Sequence, residues 1–233
     1  MSRREQKVLR NFLLAAAILF AWWFFSGARP LTLSQAVRWK ALELGLKEPP
    51  EIIAVKNGKN HQRSVVFTAD GMAVLCRVEP AAAGVVARVY DVEELEEVTV
   101  LWEQDHASLF GGIPPLCVIT RHRGAVEAEV RLHLKDEVSV GHYTTLHEFQ
   151  WDEVYTFTAE MKQGAAFLEP EGKYPEEYDE NAEGYALYLA EAQVLNDLSH
   201  AIDGYQQDHF EGTIALTIRD KDWNTIAECE DTL

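Results

Sequence analysis

Residues with the spacing of a calcium-binding loop lie close to the C-terminus. Asp220, Asp222 and Asn224 place oxygen-containing side chains at every second residue, which is how such a loop begins. However, Thr225 stands where the sharp turn needs glycine, and Asp231 stands where the longer glutamate normally supplies two oxygens. Strands are expected on both sides, so the segment is predicted to be a polar hairpin turn rather than a cation site.

Three histidines in the second half of the chain form the nearest grouping of nitrogen ligands for zinc. They are His133, His142 and His147, and Glu148 follows directly. The HExxH spacing, which puts two histidines on one face of a helix, does not occur in the sequence. We expect His133 on the polar face of a strand and His142 in a loop, as surface histidines without a common ion. The sequence therefore assigns no metal ligand and no cofactor.

The three cysteines are the next candidates for reactivity, because nucleophilic catalysis needs an activated serine, cysteine or threonine beside a base. The sequence contains neither GxSxG nor SxxK. Cys76 and Cys229 fall in predicted strands and Cys117 lies between apolar residues, where cysteine serves as a small hydrophobic side chain. A disulfide between Cys117 and either of the others is left open. No catalytic residue is predicted, and an enzyme is the less favoured class.

The aromatic residues fall into two groups with different expected surroundings. One group lies on or beside predicted strands and is expected in the core, and it comprises Trp102, Phe110, Trp151, Tyr155 and Phe157. The other group, Tyr174, Tyr178 and Tyr185, lies in or beside the acidic segment 169–183. That segment contains two prolines and is expected to be a loop. It is the first place where we expect a partner to contact exposed aromatic rings.

A basic segment followed by an apolar run opens the chain. Arg3, Arg4, Lys7 and Arg10 precede the uncharged apolar run 12–25. A helix satisfies its own backbone hydrogen bonds in lipid, and cations beside a membrane-spanning helix are found mostly on the cytoplasmic side. The pattern is typical of a single helix that crosses a membrane.

From this pattern we predict a cytoplasmic stub at 1–10, a transmembrane anchor at 11–27 and an extracytoplasmic remainder. The membrane contact is assigned to residues 12–25. A cleavable secretory signal is the alternative, because small residues occupy 26–28, and the remainder would then be secreted.

Apolar periodicity predicts two amphipathic helices after this segment. The first covers 31–45 with Thr32 as its N-cap, and the second covers 182–203. In the second helix, Leu198 is expected on the buried stripe and Asp197 on the opposite, polar face.

Strand patterns occupy most of the remaining sequence. In the clearest segment, 126–135, apolar and polar side chains alternate strictly, and 69–71 is typical of a hairpin turn. The predicted fold class is α+β, with an N-terminal single transmembrane helix followed by an antiparallel strand-rich ectodomain that contains two amphipathic helices. The glycines and prolines of 110–115 suggest a boundary between an N-terminal subdomain, 31–108, and a C-terminal subdomain, 115–233.

The chain is strongly acidic. Its 233 residues carry a formal net charge of −17. Residues 1–30 hold five of the 21 cations and one of the 38 acids, so residues 31–233 carry 16 against 37, a net charge of −21. Binding to nucleic acid needs clustered cations, so this balance argues against a nucleic-acid partner.

These observations favour a membrane-anchored extracytoplasmic module without enzymatic activity, which binds an envelope protein or a surface ligand. Two other classes stay open. One is an envelope hydrolase whose catalytic residues meet only in the fold. The other is a structural protein that depends on calcium or zinc.

Overall fold

A computed structural model describes residues 3–25, 30–81, 84–103, 113–142, 144–168 and 182–233. The described chain is rich in strand, at 52%, and contains three α-helices and one short 3-10 helix. The elements in chain order are α1 (Arg3–Phe25), α2 (Leu33–Glu43), β1 (Glu51–Asn57), the 3-10 helix (Lys59–His61), β2 (Arg63–Ala69), β3 (Met72–Ala81), β4 (Gly84–Glu94), β5 (Val98–Trp102), β6 (Leu116–Thr120), β7 (Ala125–His142), β8 (Thr145–Glu160), β9 (Ala165–Leu168), α3 (Ala182–Ile202), β10 (Glu211–Asp220) and β11 (Thr225–Thr232).

The first helix corrects the predicted fold class and location. No helix in the described part of the chain is long and apolar enough to cross a bilayer. A crossing helix needs about 20 mostly apolar residues, whereas α1 carries Glu5, Lys7 and Arg10 in its first half. The predicted transmembrane helix at 11–27 and the single-pass membrane location are therefore wrong. The membrane contact predicted for residues 12–25 has no helix in the described chain that could span a bilayer.

The strands β1 to β4 form an antiparallel meander that packs against α2. The turn between β2 and β3 is Asp70-Gly71, with φ of 52° and 76° at the two residues, as a tight hairpin turn requires. On one face of the sheet, Val65, Phe67 and Val74 contact the buried side of α2. This first sheet thus has one face covered by a helix.

The helix α2 starts and stops as its sequence predicts, within two residues. Thr32 is the N-cap, and its Oγ1 accepts a hydrogen bond from the Gln35 amide at 3.3 Å. The helix ends at Glu43, and Gly45 follows with φ of 80°, the left-handed conformation that glycine adopts most easily.

A small sheet of three strands, in the order β5-β6-β9, forms the middle layer. Alternate residues of β6 point to opposite sides, and every residue of that strand is buried. Cys117 and Ile119 pack against the first sheet, whereas Leu116 and Val118 pack on the other side, into the hydrophobic cluster that contains Val130. β5 and β6 pair across the predicted boundary at 110–115, and the division into two subdomains stays a prediction.

The third sheet has the order β11-β10-β7-β8 and is covered by α3. Its long central strand β7 keeps the predicted alternation, with Val130, Leu132 and Leu134 buried against α3. The helix itself is found where the sequence predicts it, but its buried face is rotated. Ala190, Val194 and Leu198 are fully buried, and Asp197, expected on the polar face, is buried as well.

Candidate functional site

A cleft with a cavity volume of about 420 Å³ lies between the first, middle and third sheets. Its floor is apolar, and the side chains that form it include Val98, Val100, Trp102, Ile214 and Leu216. Its rim carries five carboxylate side chains, which are Asp91, Glu93, Glu94, Glu96 and Asp231. Among the described residues that line the cleft there is no lysine, arginine or histidine. The cleft therefore combines an apolar surface with concentrated negative charge.

The register of β4 directs two of these acids toward the cleft. Val92 packs on the side of α2, so its neighbours Asp91 and Glu93 lie on the opposite face of the first sheet. Asp91 also connects two sheets, because its Oδ2 accepts a hydrogen bond from the Trp102 amide at 2.8 Å. Its Oδ1 accepts from the Val92 amide at 2.8 Å. Asp91 thus fixes the position of β5, which supplies the floor of the cleft.

Burial, and for Glu93 also the neighbouring carboxylates, raises pKa values in the cleft. Burial and the neighbouring charges of Asp91 and Glu96 raise the pKa of Glu93 above its usual range. Burial also raises the pKa of Asp91, although two backbone amides oppose that shift. A cation bound at this rim would relieve the repulsion between like charges, so the electrostatics of the cleft favour a positively charged ligand.

A second cluster of ionisable groups lies under α3. Asp136 continues the buried face of β7 and is 2% exposed, and Asp197 of α3 is 1% exposed. His209, in the segment between α3 and β10, places Nδ1 2.6 Å from Oδ1 of Asp136. One potential ligand atom from each of the three residues lies within 4.8 Å of the other two. This is the one group of three or more potential metal ligands in the described chain.

The two buried carboxyls of this cluster perturb each other. Burial and the nearby Asp197 raise the pKa of Asp136, while the hydrogen bond from His209 acts in the opposite direction. That same hydrogen bond raises the pKa of His209. The Nε2 of Gln193 donates to both oxygens of Asp197, at 2.9 and 3.1 Å, and fixes that carboxyl in place.

The calcium-like segment near the C-terminus is a hairpin turn between β10 and β11. Oδ1 of Asp220 accepts hydrogen bonds from the amides of Asp222 and Asn224, at 2.8 and 2.9 Å. The bonds with Asn224 lower the pKa of Asp220. The carboxylate that would begin a calcium loop is thus occupied by the backbone of its own turn, and the predicted polar hairpin is confirmed.

The histidines singled out in the sequence do not come together as a zinc site in the described chain. His133 lies on the exposed face of β7, where its Nε2 is 2.6 Å from Oδ1 of Asp152 on β8. His142 is the last residue of β7, which corrects its predicted place in a loop, and its ring packs against Tyr185. Because β7 is extended, the nine residue steps from His133 to His142 separate them by about 30 Å.

The cysteines are all free thiols in this structure. Cys76 is buried against α2, and Cys117 is buried on the other face of the first sheet, so the sheet separates them. Burial raises the pKa of Cys76 to about 12 and that of Cys117 beyond its usual range, which keeps both thiols protonated and unreactive. Cys229 is exposed and lines the cleft.

Of the aromatic residues predicted for the core, Trp102 is buried, whereas Trp151, Tyr155 and Phe157 are half-buried and pack against the same cluster. Tyr185 is exposed. Phe110, Tyr174, Tyr178 and the acidic loop lie outside the described residues, apart from the last residues of that loop, which begin α3.

Neither the cleft nor the cluster under α3 is predicted from the sequence, although each has a weak signal in the sequence. Asp136 stands at the next inward position of the alternation after Leu134, so a carboxylate in phase with the apolar face was visible. Asp197 and His209 are distant from Asp136 in sequence. The packing of α3 onto β7 brings Asp197 to it, and the pairing of Glu211 on β10 with Lys135 on β7 brings His209 to it. Four of the five acids of the cleft stand close together in the sequence, at 91–96, but their spacing indicates no site.

Comparison with protein families, with curated proteins and with solved structures found no match to this chain. The acidic cleft and the cluster under α3 are therefore the features of this chain from which a function can be inferred.

Proposed function

We propose that this chain is a binding protein whose cleft takes a positively charged ligand with an apolar portion. One observation carries the proposal, namely five carboxylate side chains around an apolar floor, with no cationic side chain among the described lining residues. Crowded carboxylates lower the free energy of a bound cation and steer it toward the cleft before contact.

The size and lining of the cleft support a compact ligand. Cavities of about 300–1,000 Å³ hold small molecules or a few side chains, and this one measures about 420 Å³. The apolar portion of the ligand would lie against the half-buried Val98 and Val100, and the cationic group would lie at the rim beside Glu93 and Glu96. An organic amine and a lysine side chain of a partner protein share this chemistry.

The proposal is tested by calorimetric titration of the full chain with three indole compounds that differ in charge. Tryptamine is a cation, tryptophol is neutral and indole-3-acetate is an anion at pH 7. We expect tryptamine to bind more tightly than tryptophol, and indole-3-acetate not to bind. A blocked tripeptide with a central lysine between leucines is the second arm, and stronger binding of the peptide would identify the source as a protein.

Variants locate the binding. Replacing two rim acids, in the double variant Glu93→Gln and Glu96→Gln, should weaken tryptamine binding about tenfold. The matched control, the double variant Glu148→Gln and Glu153→Gln, removes two negative charges from exposed β8, at the opposite edge of the third sheet from β11, and should bind like the wild type. Equal affinities for tryptamine and indole-3-acetate, or unchanged binding by the double variant, would refute the proposal.

An enzymatic alternative receives less support. A hydrolase would need a base beside a nucleophile, and the described lining of the cleft has Cys229 without a histidine. The binding function is therefore the one that the geometry supports best.

A further inference from the structure

The cluster of Asp136, Asp197 and His209 has an unsatisfied buried oxygen at its centre. Oδ1 of Asp136 accepts a hydrogen bond from the Glu137 amide at 2.8 Å and contacts Nδ1 of His209. Oδ2 of the same carboxyl is buried and has no hydrogen-bond donor, and the carboxyl of Asp197 lies within hydrogen-bond reach of Asp136. Leaving a buried carboxylate oxygen without a donor is costly, so such an atom points to a group that binds there.

The charges around this oxygen do not balance. The charged groups that act on Asp136 are Asp197 and His209, so two buried carboxyls share a single histidine. Among the hydrogen bonds of the described residues, the one side-chain donor to Asp197 is the neutral amide of Gln193. Two adjacent carboxylates in a buried site are stabilised together by a shared proton or by a cation.

We propose that Asp136, Asp197 and His209 bind a divalent transition-metal ion of the zinc type. Two carboxylates and one imidazole suit Zn²⁺, while an imidazole is an unusual ligand for Ca²⁺ or Mg²⁺, which select oxygen. The site is separate from the cleft, since none of its three ligands lines that cavity.

The geometry requires only a small adjustment to accept the ion. Ligand atoms around zinc lie about 3–4 Å apart, since each is about 2.0–2.2 Å from the metal. Here the three ligand atoms already lie within 4.8 Å of one another. The proton between Nδ1 of His209 and Oδ1 of Asp136 leaves to solvent when the metal takes its place. The side chain of His209 is 45% exposed, which gives the ion a path from solvent and leaves room for a water ligand.

The ion would connect three separate parts of the fold. Asp136 belongs to β7, Asp197 to α3, and His209 to the segment that leads into β10. A metal bound by all three residues would hold α3 on the third sheet, so we expect binding to raise the melting temperature.

The test is calorimetric titration of the full chain with ZnSO₄, with MgCl₂ and CaCl₂ as comparison ions. The wild type should bind one Zn²⁺ and melt at a higher temperature with zinc than without it. His209→Gln and Asp197→Asn should each weaken zinc binding by about tenfold or more. With Co²⁺ as a spectroscopic probe, the wild type should show a visible ligand-field absorption band that both variants lose.

The matched control is His133→Gln. His133 and Asp152 form a pair with the same 2.6 Å separation, but they lie exposed and belong to no group of three potential ligands in the described chain. This control, and the cleft variant with Glu93→Gln and Glu96→Gln, should bind zinc as the wild type does. Because His209 is half exposed, its variant should fold, and its melting temperature without metal checks this. No zinc binding by the wild type, or unchanged binding by the His209 and Asp197 variants, would overturn the proposal.

Discussion

Glu103 and Arg77 form an ion pair at the junction between the first sheet and the end of β5. Nε of Arg77 donates to Oε1 of Glu103 at 2.8 Å, and the Ser64 hydroxyl donates to its Oε2 at 3.1 Å. The guanidinium lies over the Tyr90 ring, 4.8 Å from its centroid. The side chains of Arg77 and Glu103 are only 17% and 9% exposed, so solvent screens the pair weakly.

Removing one member of this pair should destabilise the fold. Glu103→Ala leaves Arg77 and Ser64 facing a buried space without their carboxylate, and we expect a loss of about 3 kcal/mol in the free energy of unfolding. The matched control is Glu160→Ala, which breaks the exposed pair with Lys162 at 3.5 Å and should cost less than about 0.5 kcal/mol. Urea denaturation measures both, and equal midpoints would show that the buried pair contributes nothing.

Gly164 occupies a position that only glycine fits. Its φ is +83°, and a Cβ there would lie 2.6 Å from the carbonyl oxygen of Thr120. The left-handed conformation costs other residues about 1–2 kcal/mol, and the contact adds to that. Gly164→Ala should therefore lose more than about 2 kcal/mol in thermal or urea unfolding. Gly124→Ala, with nothing within 4 Å of its Cβ, is the control and should change stability by about 0.5 kcal/mol at most. If Gly164→Ala were as stable as Gly124→Ala, the result would contradict the close approach of Gly164 to Thr120.

Ligand binding in the cleft should depend on pH in a direction set by the raised pKa of Glu93 and Asp91. Carboxyls with raised pKa values take up protons at a higher pH than ordinary carboxyls do, and then lose their attraction for a cation. Affinity for tryptamine should thus fall as the pH is lowered from 7 toward 4, while its amine stays charged. The double variant Glu93→Gln and Glu96→Gln should show a flatter profile. If the affinity of the wild type for tryptamine did not change over this pH range, the result would contradict the role of these acids.

The hairpin turn of β10 and β11 should depend on Asp220 and not on calcium. Asp220→Ala removes the acceptor for the amides of Asp222 and Asn224, so its melting temperature should fall. Because hydrogen bonding lowers the pKa of Asp220, this contribution is present above about pH 3.9 and is lost as the pH falls through the lower folded-state value.

The control for this turn is Asp222→Ala, whose side chain is exposed and should matter little to the melting temperature. CaCl₂ should shift the melting temperature of neither variant nor of the wild type. A calcium-dependent rise that disappears in Asp222→Ala would restore the cation-loop interpretation.

The sequence was sufficient to locate most strands because short-range physics determines them. The alternation of 126–135 and the Asp70-Gly71 turn act within a few residues, and both were found in the structure. Packing between elements that are distant in sequence could not be predicted from these local patterns. The rotation of α3 that buries Asp197 depends on how β7 accepts the helix, and the helix pattern by itself favoured another face.

The first helix shows a different source of error. The apolar run 12–25 led to the prediction of a transmembrane helix, although the charged residues Glu5, Lys7 and Arg10 belong to the same helix. Counting charges over the whole helix, rather than over its apolar part, would have given the correct result.

The middle sheet has a consequence for how the chain folds. β5 and β6 are close in sequence, but β9 is distant, since Leu116 pairs with Leu168 while the hairpin of β7 and β8 lies between them. That hairpin forms locally and pairs Glu127 with Glu160, after which only a short loop has to close for β9 to reach β6. We therefore expect β9 to join the middle sheet after the hairpin of β7 and β8 has formed, and to be lost first when that hairpin is disrupted.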